Sequence, residues 1–440
     1  MDYLLIQNGL VVEGNKVFKA DILIGNSKIL EIGKSVRRPL PGTPVIDAGG
    51  RFVLPGGIDT TAHEILTTCA EADNLQKMLF AELTGGTTCI FETLTYPETE
   101  SFDHALSALS INLKGSRFTD FAFHLSHMKL TKLNPKKSKL PFISGGISSL
   151  CVTTTQLQKL DDEEFVLLDD HLSQTGQTLI VELNIPEPLG SGYLIPHKKA
   201  GNEKDDHLDR LMTVLWRLKD ANYPVLLSKL RYVDELEIVQ KFIDENRKIF
   251  AELDCPCLLG GKNEFKESSL SEKGIGGTLD LKTISPAMFV ELLGDENYVP
   301  ARPSLGLMIG NAKDSPVFNR PDKFFGLKFH ASMLYSLCVA YGNLAITDFV
   351  SCFSTRQAKL MGLYPRKGVL REGSDADIVI WNPDFDRNLY CNYPGDPQVN
   401  DQKLQGKADF VFVNGKMVFD GETFFRENLT GKYLYRTPCI

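Results

Sequence analysis

Apolar and polar residues follow two different periods along this chain, and the period changes near residue 55. Residues 3–54 are short runs rich in β-branched residues, separated by Asn-Gly, Gly-Asn and Pro-Gly turns, which is typical of antiparallel strands. Similar runs return after Pro365, at 377–381, 410–413 and 416–420. Asn414-Gly415, between the last two runs, predicts a tight hairpin.

The middle of the chain has a longer rhythm, in which apolar runs alternate with amphipathic segments. The segments 73–83, 208–219 and 233–243 repeat apolar residues every three or four positions and predict helices. The strand-like runs are eight: 52–58, 87–94, 121–125, 149–153, 178–183, 224–230, 249–253 and 305–309. Eight buried strands alternating with helices predict an α/β fold with a (β/α)8 barrel of the TIM type, with an open doubly wound sheet as the alternative.

The two β-rich ends flank this α/β middle, and the simplest packing joins them into one small β-sandwich domain. The predicted division is therefore residues 1–54 for the first part of the β-sandwich, 55–365 for the barrel and 366–440 for the second part of the β-sandwich.

Composition narrows the function class. The chain has 440 residues, of which 42% are hydrophobic and 24% charged, an ordinary globular profile. The 48 basic and 56 acidic residues give a net charge of −8, which argues against a nucleic-acid partner. No membrane span or signal peptide is predicted, and nine cysteines without a regular framework favour reduced thiols in the cytoplasm.

Catalytic residues in a (β/α)8 barrel lie at the carboxyl ends of the strands, so the residues at these ends are the candidates for a site. The first strand ends Pro-Gly-Gly-Ile-Asp at 55–59, with His63 following. Residues 358–368 read Ala-Lys-Leu-Met-Gly-Leu-Tyr-Pro-Arg-Lys-Gly, and Gly-Ser-Asp-Ala-Asp follows at 373–377. On these motifs the chain resembles the cyclic amidohydrolases, in the dihydropyrimidinase and hydantoinase branch that includes the non-enzymatic collapsin response mediator proteins. The resemblance implies a metal-site barrel, a small β-sandwich and a homotetramer.

The resemblance also implies six metal-ligand positions: two His on strand one, a carboxylated Lys on strand four, one His each on strands five and six, and an Asp on strand eight. At these positions the chain has Thr61 and His63, Cys151, Glu182, Lys229, and Ala312 or, on a shifted alignment, Lys313. Gln156 replaces the family's polarising Tyr. Five of six ligands are changed, and an ammonium repels a cation, so no metal cofactor is expected. A single zinc on His63, Glu182 and Cys151 is the alternative.

Other cysteines and histidines predict no second site. His124 and His127 are three residues apart, which places them on opposite faces of a strand. Cys255 and Cys257 lack the second pair that a zinc site needs. Cys151 as a nucleophile would need a base and a lowered pKa, so a packed thiol is the favoured interpretation.

Three function classes follow. The favoured one is a catalytically inactive dihydropyrimidinase-like protein that acts as an oligomeric scaffold or regulatory protein through its surface. The alternatives are a divergent hydrolase of cyclic amide C–N bonds with one metal or none, and a silent subunit that assembles with an active paralogue. Because a vacated metal site needs charge compensation, an ion pair between Glu182 and Lys229 is also expected.

Overall fold

The structure is a computed structural model that describes residues 2–63, 79–95, 118–126, 145–183, 203–254, 284–301, 325–342, 344–389 and 402–436. The strands of the first sheet are β1 (Tyr3–Glu13), β2 (Lys16–Gly25), β3 (Lys28–Gly33), β4 (Val45–Asp47), β5 (Phe52–Pro55), β14 (Ile378–Leu389), β15 (Gln402–Val413) and β16 (Lys416–Phe419). Those of the second are β6 (Gly57–His63), β7 (Thr87–Thr95), β8 (Asp120–Ser126), β9 (Ser149–Thr153), β10 (Thr178–Glu182), β11 (Val225–Leu230), β12 (Ile249–Leu253) and β13 (Tyr298–Pro300).

Helices lie between many of the described strands. They are α1 (Thr154–Lys159), α2 (Asp162–Thr175), α3 (Glu203–Leu218), α4 (Val233–Glu245), α5 (Pro286–Leu292), α6 (Phe325–Tyr335), α7 (Ile346–Val350) and α8 (Arg356–Leu360). Two π-helical segments, Ser336–Ala340 and Ser351–Thr355, continue α6 and α7. Within the described residues, no helix combines the length and the apolar character that crossing a bilayer requires.

The first sheet joins both ends of the chain, as the sequence predicts. Strand β5 pairs with β1 on one side and, antiparallel, with β14 on the other, so the N-terminal and C-terminal strands form one sheet. The predicted hairpin is confirmed: Asn414 and Gly415 both have left-handed φ angles, of 49° and 77°, between β15 and β16.

The second sheet is the wall of the barrel. Its strands are parallel and lie in chain order from β6 to β13, and helices α3 and α4 bury apolar stripes such as Leu211, Leu215 and Val239 in the core around them. This parallel, curled sheet beside a β domain built from both termini confirms the predicted fold class, a TIM-type barrel.

The first predicted strand of the barrel needs correction. The run 52–58 is not one strand: β5 belongs to the terminal sheet and β6 to the barrel, with Gly56 between them. A Cβ on Gly56 or on Gly57 would collide with the side chain of Thr88 or Phe353, so only glycine allows this crossing.

The strand predicted at 305–309 lies outside the described residues. The neighbour of β12 is instead β13, with Ala251 opposite Tyr298 and Leu253 opposite Pro300. A strand of three residues is too short to produce a periodic signal, which is why the pattern missed it.

Candidate functional site: the mouth of the barrel

A layer of apolar side chains fills the barrel below its mouth. Cys151, Ile180, Leu226 and Val299 share one buried cluster, and Phe250 packs against it. Cys151 is opposite Ile180, and Ile180 is opposite Leu226, so these residues occupy the same level of neighbouring strands. Since side chains alternate along a strand, the residues two positions later also face into the barrel.

The next level is polar. It consists of Thr153, Glu182, Ser228 and Glu252, at or near the ends of β9 to β12. Thr153 is opposite Glu182, and Glu182 is opposite Ser228. Ser228 Oγ donates a hydrogen bond of 2.5 Å to Glu252 Oε2, and both side chains are buried. The mouth therefore has a polar rim rich in acceptors on top of an apolar plug.

Cys151 lies directly beneath this rim, close to the carboxylate of Glu182. Burial, and after it the negative charge of Glu182, raise the pKa of the Cys151 thiol well above its ordinary value, against the opposing effect of Lys229. The thiol is therefore protonated at neutral pH. A protonated, buried thiol is neither a nucleophile nor a good metal ligand, which favours the packed-thiol interpretation.

The ion pair expected between Glu182 and Lys229 depends on a break in the ladder. Ser228, not Lys229, is the residue opposite Glu182, so a regular strand would turn Lys229 away from Glu182. Lys229 has a left-handed φ of 64°, and the ladder between β11 and β12 is interrupted there by a bulge, so the regular alternation does not apply to its side chain. The pair stays a prediction.

The other predicted mouth residues have different outcomes. Thr61 and His63 are the last part of β6, so they end strand one as predicted, but their side chains lie outside the described atoms. The side chain of Gln156 accepts a hydrogen bond of 2.8 Å from the Thr153 amide and closes the capping box of α1. Ala312 and Lys313 lie outside the described residues, as do the cysteines at 255 and 257 and the histidine at 127.

One level below Cys151, His124 is enclosed in the barrel. Its Nε2 lies 3.0 Å from the carbonyl oxygen of Thr60, which can only accept, so Nε2 carries the proton. Nδ1 then accepts a 2.6 Å hydrogen bond from Ser149 Oγ, which in turn accepts from Arg436 Nη2 at 3.1 Å. Burial, with the charge of Arg436, lowers the pKa of His124 to about 3. The imidazole is neutral and ties strands one, three and four together.

The comparisons with known proteins agree with this architecture. The model of the amidohydrolase family matches residues 322–418. D-hydantoinase of Ralstonia pickettii is 24% identical over 472 residues, which cover 98% of each chain. Dihydropyrimidinase-related protein 5 of Rattus norvegicus is 25% identical over 467 residues, 98% of this chain and 80% of that one. Over nearly its whole length the chain is therefore similar to hydantoinases and dihydropyrimidinase-related proteins, and residues 322–418 are similar to the amidohydrolase family.

The solved structures show the same fold. A crystal structure of D-hydantoinase superposes with a TM-score of 0.77 at 22% identity, covering 99% of each chain. D-hydantoinase from a Thermus species gives the same TM-score at 21% identity, again over 99% of each chain. Likeness at this identity extends to the fold.

The segment with the strongest family resemblance lies at the opposite end of the barrel from the mouth. Ala358, Leu360 and Met361 close the bottom of the apolar interior. Beyond them, the ammonium of the fully buried Lys367 binds three carboxylates, at 2.7 Å from Asp120 and 3.4 Å from Asp375, and in closest contact with Asp377.

This cluster connects the two domains. Asp120 begins β8 of the barrel, whereas Asp375 and Asp377 lead into β14 of the terminal sheet. Burial opposes the charge of Lys367, but the three carboxylates outweigh it and raise the pKa of its ammonium above the ordinary value. The three aspartates are close enough to bind a metal ion; the lysine occupies their centre and supplies the cation. The residues of this motif therefore hold the barrel to the terminal sheet.

Sequence reasoning missed three residues of the interior: Ser228, Glu252 and Arg436. Glu252 follows Phe250 by two positions in a predicted strand, so the alternation alone could have placed it on the rim. Ser228 follows Leu226 by two positions, so the same alternation could have placed it on the rim. Arg436 gave no signal, because nothing local shows that the segment after Lys432 packs along β8, where Leu434 donates to the carbonyl of Phe121.

Proposed function

We propose that this chain is a dihydropyrimidinase-like protein without hydrolase activity, which acts as an oligomeric scaffold or regulatory protein through its surface. The observation that carries the proposal is the Cys151 thiol, at the position to which the family resemblance assigns the carboxylated lysine. Only an amine forms the carbamate that bridges two metal ions. A neutral thiol offers neither the charge nor the oxygen atoms of that bridge.

The neighbouring groups give the same support. At the strand-six position an ammonium replaces an imidazole, and a cation there repels a second cation. Glu182 lies beside the neutral thiol of Cys151, and Glu252 accepts a hydrogen bond from Ser228. These residues do not fit a pair of divalent ions.

Metal content and ring-opening activity, measured on the same preparation, test the proposal. The full chain is expressed with zinc in the medium, analysed by mass spectrometry for bound metals and assayed with dihydrouracil and with hydantoin. An active hydantoinase purified in parallel shows that metal and turnover survive the procedure. We expect less than one metal ion per chain and no hydrolysis above the protein-free background.

Cys151→Ser is the matched variant, since it keeps the size of the side chain and removes the thiol. It should behave as the parent does in both measurements. Stoichiometric zinc with turnover in the parent, both lost in Cys151→Ser, would establish the divergent hydrolase instead.

The assembly is tested separately. Light scattering of the purified chain should give the mass of a homo-oligomer, with a tetramer expected from the family resemblance. A monomer at micromolar concentration would contradict the scaffold proposal. Co-purification of an active dihydropyrimidinase-like paralogue from native extract would favour the silent-subunit alternative.

A further inference from the structure

A small cavity, lined mostly by buried residues, lies where the barrel sheet begins and ends. Its volume is about 10 Å³. Strand β6 contributes Asp59 and Thr60 to its wall, β13 contributes Pro300, and helix α8 contributes Gln357. The described residues contain no ladder between β6 and β13, so the cavity occupies a place where the two strands are not directly hydrogen-bonded.

The side-chain amide of Gln357 points an unused acceptor into the protein. Gln357 is 4% exposed, and its Nε2 donates to the carbonyl oxygen of Cys352, which belongs to the π-helical segment before α8. A carbonyl only accepts, so the amide cannot be turned around without losing this bond. Its Oε1 has no hydrogen-bond partner among the described residues. Buried amide oxygens without a partner are rare in folded proteins.

The size and the polarity of the cavity select its ligand. A cavity of roughly 10–15 Å³, measured with a water-sized probe, holds one water molecule and nothing larger. A buried water typically makes about three hydrogen bonds. Gln357 supplies one acceptor, and Asp59, Thr60 and Thr87 supply further polar atoms in the wall. Purely apolar cavities stay empty, but this one is not apolar.

We propose that one internal water occupies this cavity, donates a hydrogen bond to Gln357 Oε1 and bonds to a polar atom of strand β6. The water links α8 to the strand that ends in Thr61 and His63. Elsewhere in the sheet, backbone hydrogen bonds to a neighbouring strand hold each strand in place. This inference does not depend on the proposed function, since a water supports strand one in an active or an inactive barrel.

A crystal structure of the parent chain at high resolution tests the proposal directly. We expect one spherical peak of density within hydrogen-bond distance of Gln357 Oε1 and of at least one atom of Asp59, Thr60 or Thr87. A cavity without density, or a protein donor on Oε1, would overturn the proposal. A crystal soaked in rubidium chloride separates water from a cation of similar size, because an anomalous peak in the cavity would show a cation.

Oxygen-17 relaxation dispersion counts the long-lived internal water molecules of the protein in solution. Gln357→Met removes the acceptor and fills space, so the variant should hold one long-lived water fewer than the parent. Gln174→Met, at an exposed position of α2, is the control and should leave the count unchanged. Equal counts in the parent and in Gln357→Met would contradict the assignment. If Gln357→Met does not fold, the density in the parent decides alone.

Discussion

At the scale of single residues, burial fixes the protonation of the interior. His124 is 0% exposed and both ring nitrogens are hydrogen-bonded, so its pKa of about 3 lies below the value of 6.5 for a free histidine. As the pH falls, the unfolded chain binds this proton first. The stability that the neutral imidazole contributes is thus complete above pH 6.5 and is lost between pH 6.5 and about 3.

We therefore expect the free energy of unfolding of the parent to fall by about 2 kcal/mol between pH 7 and pH 5 because of His124. A difference of one pKa unit corresponds to about 1.4 kcal/mol. His124→Gln keeps an N–H donor for Thr60 but cannot titrate, so this part of the pH dependence should disappear in the variant. Urea unfolding of both proteins at the two pH values measures the difference. Equal slopes would mean that His124 is solvated or protonated in the folded protein.

Cys151 gives a second prediction at this scale. A buried, protonated thiol reacts slowly with alkylating reagents. Peptide mass spectrometry after iodoacetamide treatment at pH 8 should find Cys151 unmodified in the folded chain and modified in urea. Cys89, which is also fully buried with a raised pKa, should follow the same course and serves as the control. Rapid modification of Cys151 alone would indicate a thiolate and restore the nucleophile interpretation.

At the scale of elements, the sequence predicts the helices and strands with regular periodicity and does not predict where that periodicity is interrupted. The segment 233–243 corresponds to α4 at Val233–Glu245, and the run 149–153 coincides with β9. The errors fall where the chain breaks its pattern: at the glycines that separate β5 from β6, at the three-residue β13, and at the bulge in β11. Each break depends on contacts with distant residues, such as Phe353 against Gly57, which no local window contains.

The bulge in β11 is itself testable. Lys229 has a left-handed φ of 64°, a conformation that asparagine tolerates and β-branched residues do not. Lys229→Val and Lys229→Asn both remove the ammonium, so their difference isolates the backbone. Lys229→Val should be less stable than Lys229→Asn by about 1–3 kcal/mol in chemical unfolding. Equal stabilities would mean that the strand is regular, and Lys229 would then face away from the side of Glu182.

At the scale of the whole molecule, the two ends of the barrel have different relations to the family. The bottom keeps the motif around residues 358–377, because Lys367 and its carboxylates join the barrel to the terminal sheet. At the mouth, the resemblance implies other residues at the positions of the family's ligands. The likeness therefore predicts how the chain folds and does not predict what it does. The arrangement of side chains at the mouth could not be predicted from the sequence. Which residues share a level inside the barrel depends on the register between neighbouring strands, and one strand's sequence does not contain that register.

The charge cluster at the bottom should be among the most sensitive points of the fold. Lys367→Met keeps the apolar length of the side chain but leaves Asp120, Asp375 and Asp377 buried near one another without their shared cation. Breaking a buried ion pair by removing one partner costs about 3–5 kcal/mol, and we expect a loss of that size in urea unfolding. The control is Arg247→Met, which removes a 2.9 Å pair with Asp295 whose side chains are 53% and 37% exposed. An exposed pair of this kind contributes at most about 1 kcal/mol.

A second substitution separates the effect of repulsion among the carboxylates from the effect of lost packing. Adding Asp377→Asn to Lys367→Met removes one of the three carboxylates, and Asn retains an oxygen to accept the hydrogen bond of 2.7 Å from the Asn414 amide. If repulsion among buried carboxylates causes the loss, the double variant should be more stable than Lys367→Met alone. If the double variant is less stable, or if Lys367→Met matches the parent, the cluster does not lock the two domains. The bottom of the barrel would then be held by its apolar plug of Ala358, Leu360 and Met361.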